Sequence, residues 1–293
     1  MVRNFYNNPK RRFSKHEMKQ PKFLYLALLG ALALSSQGTA LAQDASRWHN
    51  VDVNEQNREP RRAAFFAYET QDKAQSFEKK GSANYLSMEG MWKFNFVKDH
   101  NKRPANFFAA NYDDSSWTDF PVPGLFELNG FGDATYKNVG YAWATQFDPN
   151  PPYISELNNY TGSYRRSFDL PANWKGRDVF FHVGSATSNL TLWVNGKFVG
   201  YSEDSKIAAE FNISKYLKPG KNLIAMQVMR WCDGSYFEDQ DFWRLTGIAR
   251  EVYLYSRPKV HAADIRLDAG LENQYKDGVL HYDVALKGGK ADV

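Results

Sequence analysis

Apolar and polar positions alternate with a period of two along much of this chain, and the alternating runs are short. The period is clearest after Gly162, where runs at 163–168, 179–183, 190–194, 197–201, 211–214 and 223–228 predict strands. Turn chemistry separates them: Pro171 to Gly176, Asn195-Gly196 as a tight hairpin, and Lys218-Pro219-Gly220. A further strand at 251–255 is ended by Arg257-Pro258. Short strands at even spacing predict an all-β sandwich or jelly roll and exclude a βαβ fold.

Upstream, 85–96 alternates from Gly90 onward and places Trp92, Phe94 and Phe96 on one face of a strand. The prolines of Phe120-Pro121-Val122-Pro123-Gly124 argue against both a helix and a central strand. Two stretches lack clear periodicity. Residues 43–85 read as an extended polar arm laid over something larger. Residues 126–162 read as a long ordered loop, marked by Gly130, Gly132, Gly140 and the Asn150-Pro151-Pro152 run. Beyond Val260, apolar runs at 263–267 and 279–286 begin a new β unit that breaks off in mid-pattern. About thirty residues cannot close a sandwich, so the chain reads as truncated.

The stretch from Arg230 to Arg250, RWCDGSYFEDQDFWRLTGIAR, differs from the strands around it. It holds the carboxylates Asp233, Glu238, Asp239 and Asp241, the arginines Arg230, Arg244 and Arg250, and Trp231, Tyr236, Phe237 and Trp243 among them. Acids interleaved with aromatics suit a sugar surface, since carboxylates accept from hydroxyls and flat rings cover apolar sugar faces.

Composition changes the picture in one place. The formal charge of +4 invites a nucleic-acid partner, but the first 42 residues hold seven Lys and Arg against the single acid Glu17. The rest of the chain nets two negative charges, so a nucleic-acid partner is not expected. Those 42 residues read as a secretory signal peptide. Lys19 and Lys22 precede the apolar run FLYLALLGALAL at 23–34, and the small-x-small triplet Ala40-Leu41-Ala42 predicts cleavage after Ala42, with Met18 as an alternative start. The run is too short to span a bilayer comfortably, so the mature protein is expected to be exported, periplasmic or extracellular, and not an integral membrane protein. Cys232 is the one cysteine, which excludes an intrachain disulfide.

The order of motifs along 48–258 resembles the N-terminal sugar-binding domain of glycoside hydrolase family 2, in the branch of the large bacterial β-galactosidases. The resemblance is carried by GMWKF at 90–94, TYKNVGY at 135–141, NPP at 150–152, TGSYRRSF at 161–168, LWVNGKFVGYSEDSK at 192–206, EFNIS at 210–214 and the 230–250 stretch. It implies a jelly-roll, galactose-binding-like β-sandwich over 86–258, followed by the start of an immunoglobulin-like sandwich at 259–293. It also implies a retaining β-galactosidase that hydrolyses terminal β-D-galactosides. In such enzymes two carboxyl groups about 5–5.5 Å apart act as acid/base and nucleophile. In this family both are glutamates of a later (β/α)₈ barrel, so no catalytic residue is expected in this chain and the fragment alone is expected to be inactive. Asn54-Glu55 lies in the polar arm and reads as solvated surface.

By the same resemblance, Asp241 ligates a sodium ion and the galactosyl 6-hydroxyl, and Asn138 hydrogen-bonds the galactosyl ring. On the residues alone, Asp241 reads first as an ion-pair partner of Arg230, Arg244 or Arg250, and Asn138 first as a turn residue; the resemblance reverses both. Glu238, Asp239 and Gln240 read as structural, Asp233-Gly234 as a turn, Trp92, Trp193 and Phe198 as core, and Arg61-Arg62 as solvated surface. Relatives also carry magnesium, which the sequence does not place, and the full-length protein is expected to be a homo-oligomer. Two rivals stand beside this reading: a stand-alone carbohydrate-binding module, and a family member of other sugar specificity such as a β-glucuronidase or β-mannosidase. The leader and the longer loop PGLFELNGFGDATYKN depart from the family pattern.

Overall fold

The structure, a computed structural model, describes residues 47–290; the leader read at 1–42, with its cleavage site, lies outside them. In chain order the first strands are β1 (Glu55–Gln56), β2 (Tyr85–Ser87), β3 (Gly90–Val97), β4 (Thr118–Val122), β5 (Gly124–Leu125) and β6 (Thr135–Tyr141). They are followed by β7 (Thr161–Asp169), β8 (Asp178–Val183), β9 (Asn189–Val194), β10 (Lys197–Glu203), β11 (Ala209–Asn212) and β12 (Lys221–Met229). The last are β13 (Gln240–Arg244), β14 (Gly247–Ile248), β15 (Val252–Arg257), β16 (His261–Glu272) and β17 (Asp277–Lys287).

The fold is an all-β sandwich. A seven-stranded sheet in the order β1-β10-β9-β12-β7-β3-β4 packs over a four-stranded sheet in the order β11-β8-β15-β2. Period-two alternation sends one side of each strand into the space between the sheets. Phe94, Tyr164, Phe181, Leu192, Phe211 and Leu254 fill it, each at most 1% exposed. Burying one such side chain contributes roughly 1.5–3 kcal/mol, and β-branched or aromatic residues dominate because they suit a pleated surface. Pro121 sits in β4, the edge strand next to β3, the place in a sheet where proline is tolerated. Asn195 and Gly196 turn β9 into β10 with φ of 51° and 81°, the left-handed pair that a two-residue hairpin requires.

The arm is attached to this sandwich by backbone and by charge. β1 pairs with β10 at Glu55↔Ser202 and Gln56↔Tyr201. A side chain at Gly200 would bring its Cβ to 2.5 Å from the Gln56 carbonyl, so glycine permits the approach. Arg62 departs from the expectation of a solvated pair. Its guanidinium reaches Glu210 of β11 at 2.8 Å, both side chains being largely buried, and Glu210 also meets His182 at 3.0 Å. Arg61 remains near the surface, 3.3 Å from Asp204. A short helix, α1 (Gln71–Ser76), interrupts the arm, with the Thr70 hydroxyl accepting from the Lys73 amide at its start.

Strands β16 and β17 form a separate two-stranded hairpin that leaves Leu267, Leu271, Leu280 and Tyr282 exposed. Among the described residues no helix is long and apolar enough to cross a membrane.

Candidate functional site

Two regions that the sequence pattern leaves as loop contain strands, and these strands meet. β6 and β13 form their own antiparallel ribbon, pairing Thr135 with Arg244, Tyr136 with Trp243, Lys137 with Phe242 and Tyr141 with Gln240. Between the last two pairs the register slips. The single residue Asp241 faces the three residues Asn138, Val139 and Gly140. This is a bulge, and the backbone marks it: φ is 51° at Asp241 and 78° at Gly140, the left-handed region that aspartate and glycine tolerate best. The two residues singled out from sequence, Asn138 and Asp241, thus stand across one bulge.

The ribbon has two faces. Alternation along β6 turns Tyr136 and Asn138 outward and leaves Thr135 and Lys137 half-buried. Tyr136 and Trp243 are 51% and 52% exposed, and their rings pack at 5.2 Å between centroids. The Tyr136 hydroxyl donates to Asp241 Oδ1 at 3.2 Å. Asp241 raises the Tyr136 phenol above its usual range by charge and by that hydrogen bond. The sequence reading places Trp243 among the aromatics of a sugar surface but gives Tyr136 no role, although Tyr136 lies two residues from Asn138 and therefore on the same face of a strand.

Beneath the ribbon the remaining acids of the run are taken by the arginines. Arg244 is fully buried; its Nη1 lies 2.5 Å from Asp239 Oδ2 and 3.6 Å from Glu238 Oε2. Its Nη2 donates to Ser235 Oγ at 3.2 Å and to the Arg230 carbonyl, and the guanidinium covers the Trp231 ring at 4.4 Å. Arg230 donates to the Asp133 carbonyl and to Thr135 Oγ1, both at 2.9 Å, and lies 3.7 Å from Glu127. Burial lowers the Arg230 pKa and raises that of Glu127, while each one's charge opposes the other's shift. Glu238 accepts from the Ser205 amide at 2.9 Å and hydroxyl at 2.5 Å. Arg250 donates to the Lys206 carbonyl. The alternative that Asp241 pairs with an arginine therefore fails: among the described residues Asp241 has no ion pair, and Asp239 is the acid that holds Arg244.

A second acidic group lies under the N-terminal half of the stretch. Glu203, Asp233 and Cys232, all buried, bring ligand-type atoms within 4.8 Å of one another. They sit beside a cavity of about 370 Å³ that Val51, Asn54, Arg61 and Phe237 also line, although Cys232 itself does not. Burial, then the neighbouring Asp233 and Glu238 carboxyls, push Glu203 up to about 9 against the pull of the Tyr201 hydroxyl. Tyr201 donates to Glu203 Oε1 at 2.5 Å. Asp233 Oδ2 is buried and accepts no hydrogen bond. Two buried carboxyls with an orphaned oxygen fit a hard cation. The Cys232 thiol, pushed well up by burial, does not suit one. Asp233, read from sequence as a turn residue, does open a 3₁₀ turn (Asp233–Tyr236), but with its carboxyl buried.

The family described as "Glycosyl hydrolases family 2, sugar binding domain" matches residues 85–258. The chain belongs to glycosyl hydrolase family 2. Its sugar-binding domain contains both strands of the ribbon and all of the 230–250 stretch. The β-galactosidase of Priestia megaterium is 40% identical over 243 residues, covering 83% of this chain and 24% of that protein. That of Halalkalibacterium halodurans is 37% identical over 238 residues, covering 81% and 23%. The chain thus spans about a quarter of the length of these curated relatives. Among solved structures, a β-glycosidase from Bacteroides vulgatus aligns with a TM-score of 0.51 at 21% identity over 70% of this chain and 24% of its own. A β-glucuronidase from Ruminococcus gnavus aligns with 0.51 at 20% identity over 70% and 33%. At such identities the likeness concerns the fold alone.

Proposed function

We propose that the full-length protein carrying this domain is an exported, retaining β-galactosidase, and that the outward face of the β6–β13 ribbon forms one wall of its galactosyl site. The observation that carries this reading is the isolation of Asp241. It is the acid of the Glu238–Asp241 run with no cation beside it, exposed on the face that also presents Asn138. Asn138 brings an amide that both donates and accepts, which suits a ring hydroxyl. Asp241 accepts from the galactosyl 6-hydroxyl and offers a hard oxygen to sodium, which fits because Oδ2 accepts from no described residue. When bound, sodium supplies a fixed positive charge beside that hydroxyl.

The two glutamates that break the glycosidic bond with retention belong to the barrel outside this chain, so the domain by itself does not turn over substrate. Glu203 and Asp233 would hold a hard divalent cation such as magnesium, tying the end of β10 to the turn that begins the 230–250 stretch. The full-length protein is read as a homo-oligomer acting on galactosides or galactose-containing glycans. The reading is tested by comparing hydrolysis of nitrophenyl β-galactoside, β-glucuronide and β-mannoside by the full-length protein. Galactoside is expected to dominate; preference for either of the other two overturns the assignment. Measurable galactoside turnover by purified 43–293 overturns the claim that the catalytic groups lie elsewhere.

A further inference from the structure

We infer that Tyr136 is a positioning residue for Asp241: its hydroxyl holds one carboxylate oxygen so that the other is presented to the galactosyl 6-hydroxyl and its cation. This rests on the role proposed above for Asp241 and adds to it a residue outside the acidic run.

The need for such a residue follows from the bulge. The ladder fixes the backbone on both sides of Asp241, at Gln240↔Tyr141 and Phe242↔Lys137, but not the carboxylate itself. An exposed aspartate with two equivalent oxygens samples several rotamers, and ordering it at the moment of binding costs affinity. Its inward neighbours do not have this problem, because Arg244 and Ser205 hold Asp239 and Glu238.

Tyr136 supplies the missing restraint. Its hydroxyl donates to Oδ1 at 3.2 Å and leaves Oδ2 without a partner among the described residues. A phenol suits the task because it brings one donor on a rigid ring and no charge to compete with a bound cation. The ring is itself braced: Trp243, its register partner on β13, packs against it at 5.2 Å with a tilt of 41°. The three side chains form a short relay, Trp243 on Tyr136 and Tyr136 on Asp241, along the exposed face of the ribbon.

The test uses the full-length protein as wild type, Tyr136→Phe and Asp241→Asn. Sodium binding is read without substrate by ²³Na NMR line broadening. KM and kcat are read on nitrophenyl β-galactoside and on its 6-deoxy analogue, which lacks the hydroxyl in question. Tyr136→Phe is expected to weaken sodium binding and raise the galactoside KM by about tenfold, the size of a hydrogen bond to a charged group. It should leave the 6-deoxy substrate unchanged. If Asp241→Asn loses sodium while Tyr136→Phe matches wild type, the positioning role is wrong and the reading of Asp241 stands. Equal weakening of both substrates by Tyr136→Phe also overturns it, as general loosening of the ribbon. If Asp241→Asn binds sodium normally, the proposed role of Asp241 fails and this inference falls with it.

Discussion

Asp239 and Asp241 lie two residues apart in one motif and have opposite surroundings. The Asp239 side chain is 2% exposed, 2.5 Å from the Arg244 guanidinium and 3.3 Å from Lys206. Asp241 is exposed, meets no cation, and takes one phenol hydrogen bond. What separates them is backbone geometry. Both have left-handed φ, 61° and 51°, but Asp239 precedes the strand and turns into the body, whereas Asp241 sits at the bulge on the outer face. A carboxylate facing in is used for stability, and one facing out remains available for a ligand.

The contrast is broken most forcefully by removing the inner cation. Arg244→Met leaves Asp239 buried with only Lys206 beside it, and a loss of about 3–5 kcal/mol is expected in urea denaturation. A loss below about 1 kcal/mol would mean that the inner network is ornamental and the division between the two acids false. The Glu203–Asp233 pair is a third environment, buried but without a cation beside it. Magnesium at a hundred times its Kd is expected to stabilise the protein by about 2.7 kcal/mol, and Glu203→Gln to abolish that gain. Identical melting curves with magnesium and with chelator would show that the pair holds no cation. The smallest effect is the most specific. Asp241→Asn should change stability by less than about 0.5 kcal/mol, because nothing structural depends on its charge; a large destabilisation would return Asp241 to the structural class.

Much of the sandwich was legible in the sequence because its strands alternate apolar with polar residues. Trp92 and Phe94 lie in the core as their spacing predicts, and Asn195-Gly196 makes the expected turn. The ribbon was not legible. Its outward positions are Tyr136, Asn138, Asp241 and Trp243 and its inward ones include Thr135, Lys137 and Arg244, so polar residues fall on both faces, aromatics face out, and no hydrophobic period survives. The division of labour among the acids was hidden for a different reason. It depends on Glu127, Asp133 and Thr135, about a hundred residues upstream, which hold Arg230, and on a two-residue slip in register. Arg62 was misread because its partner Glu210 is brought to it by the path of the arm.

The most direct test of the account is galactoside turnover by full-length Asp241→Asn across a sodium titration. The account predicts a large rise in KM, loss of sodium dependence, and stability close to wild type. Unchanged turnover with unchanged sodium dependence would contradict it.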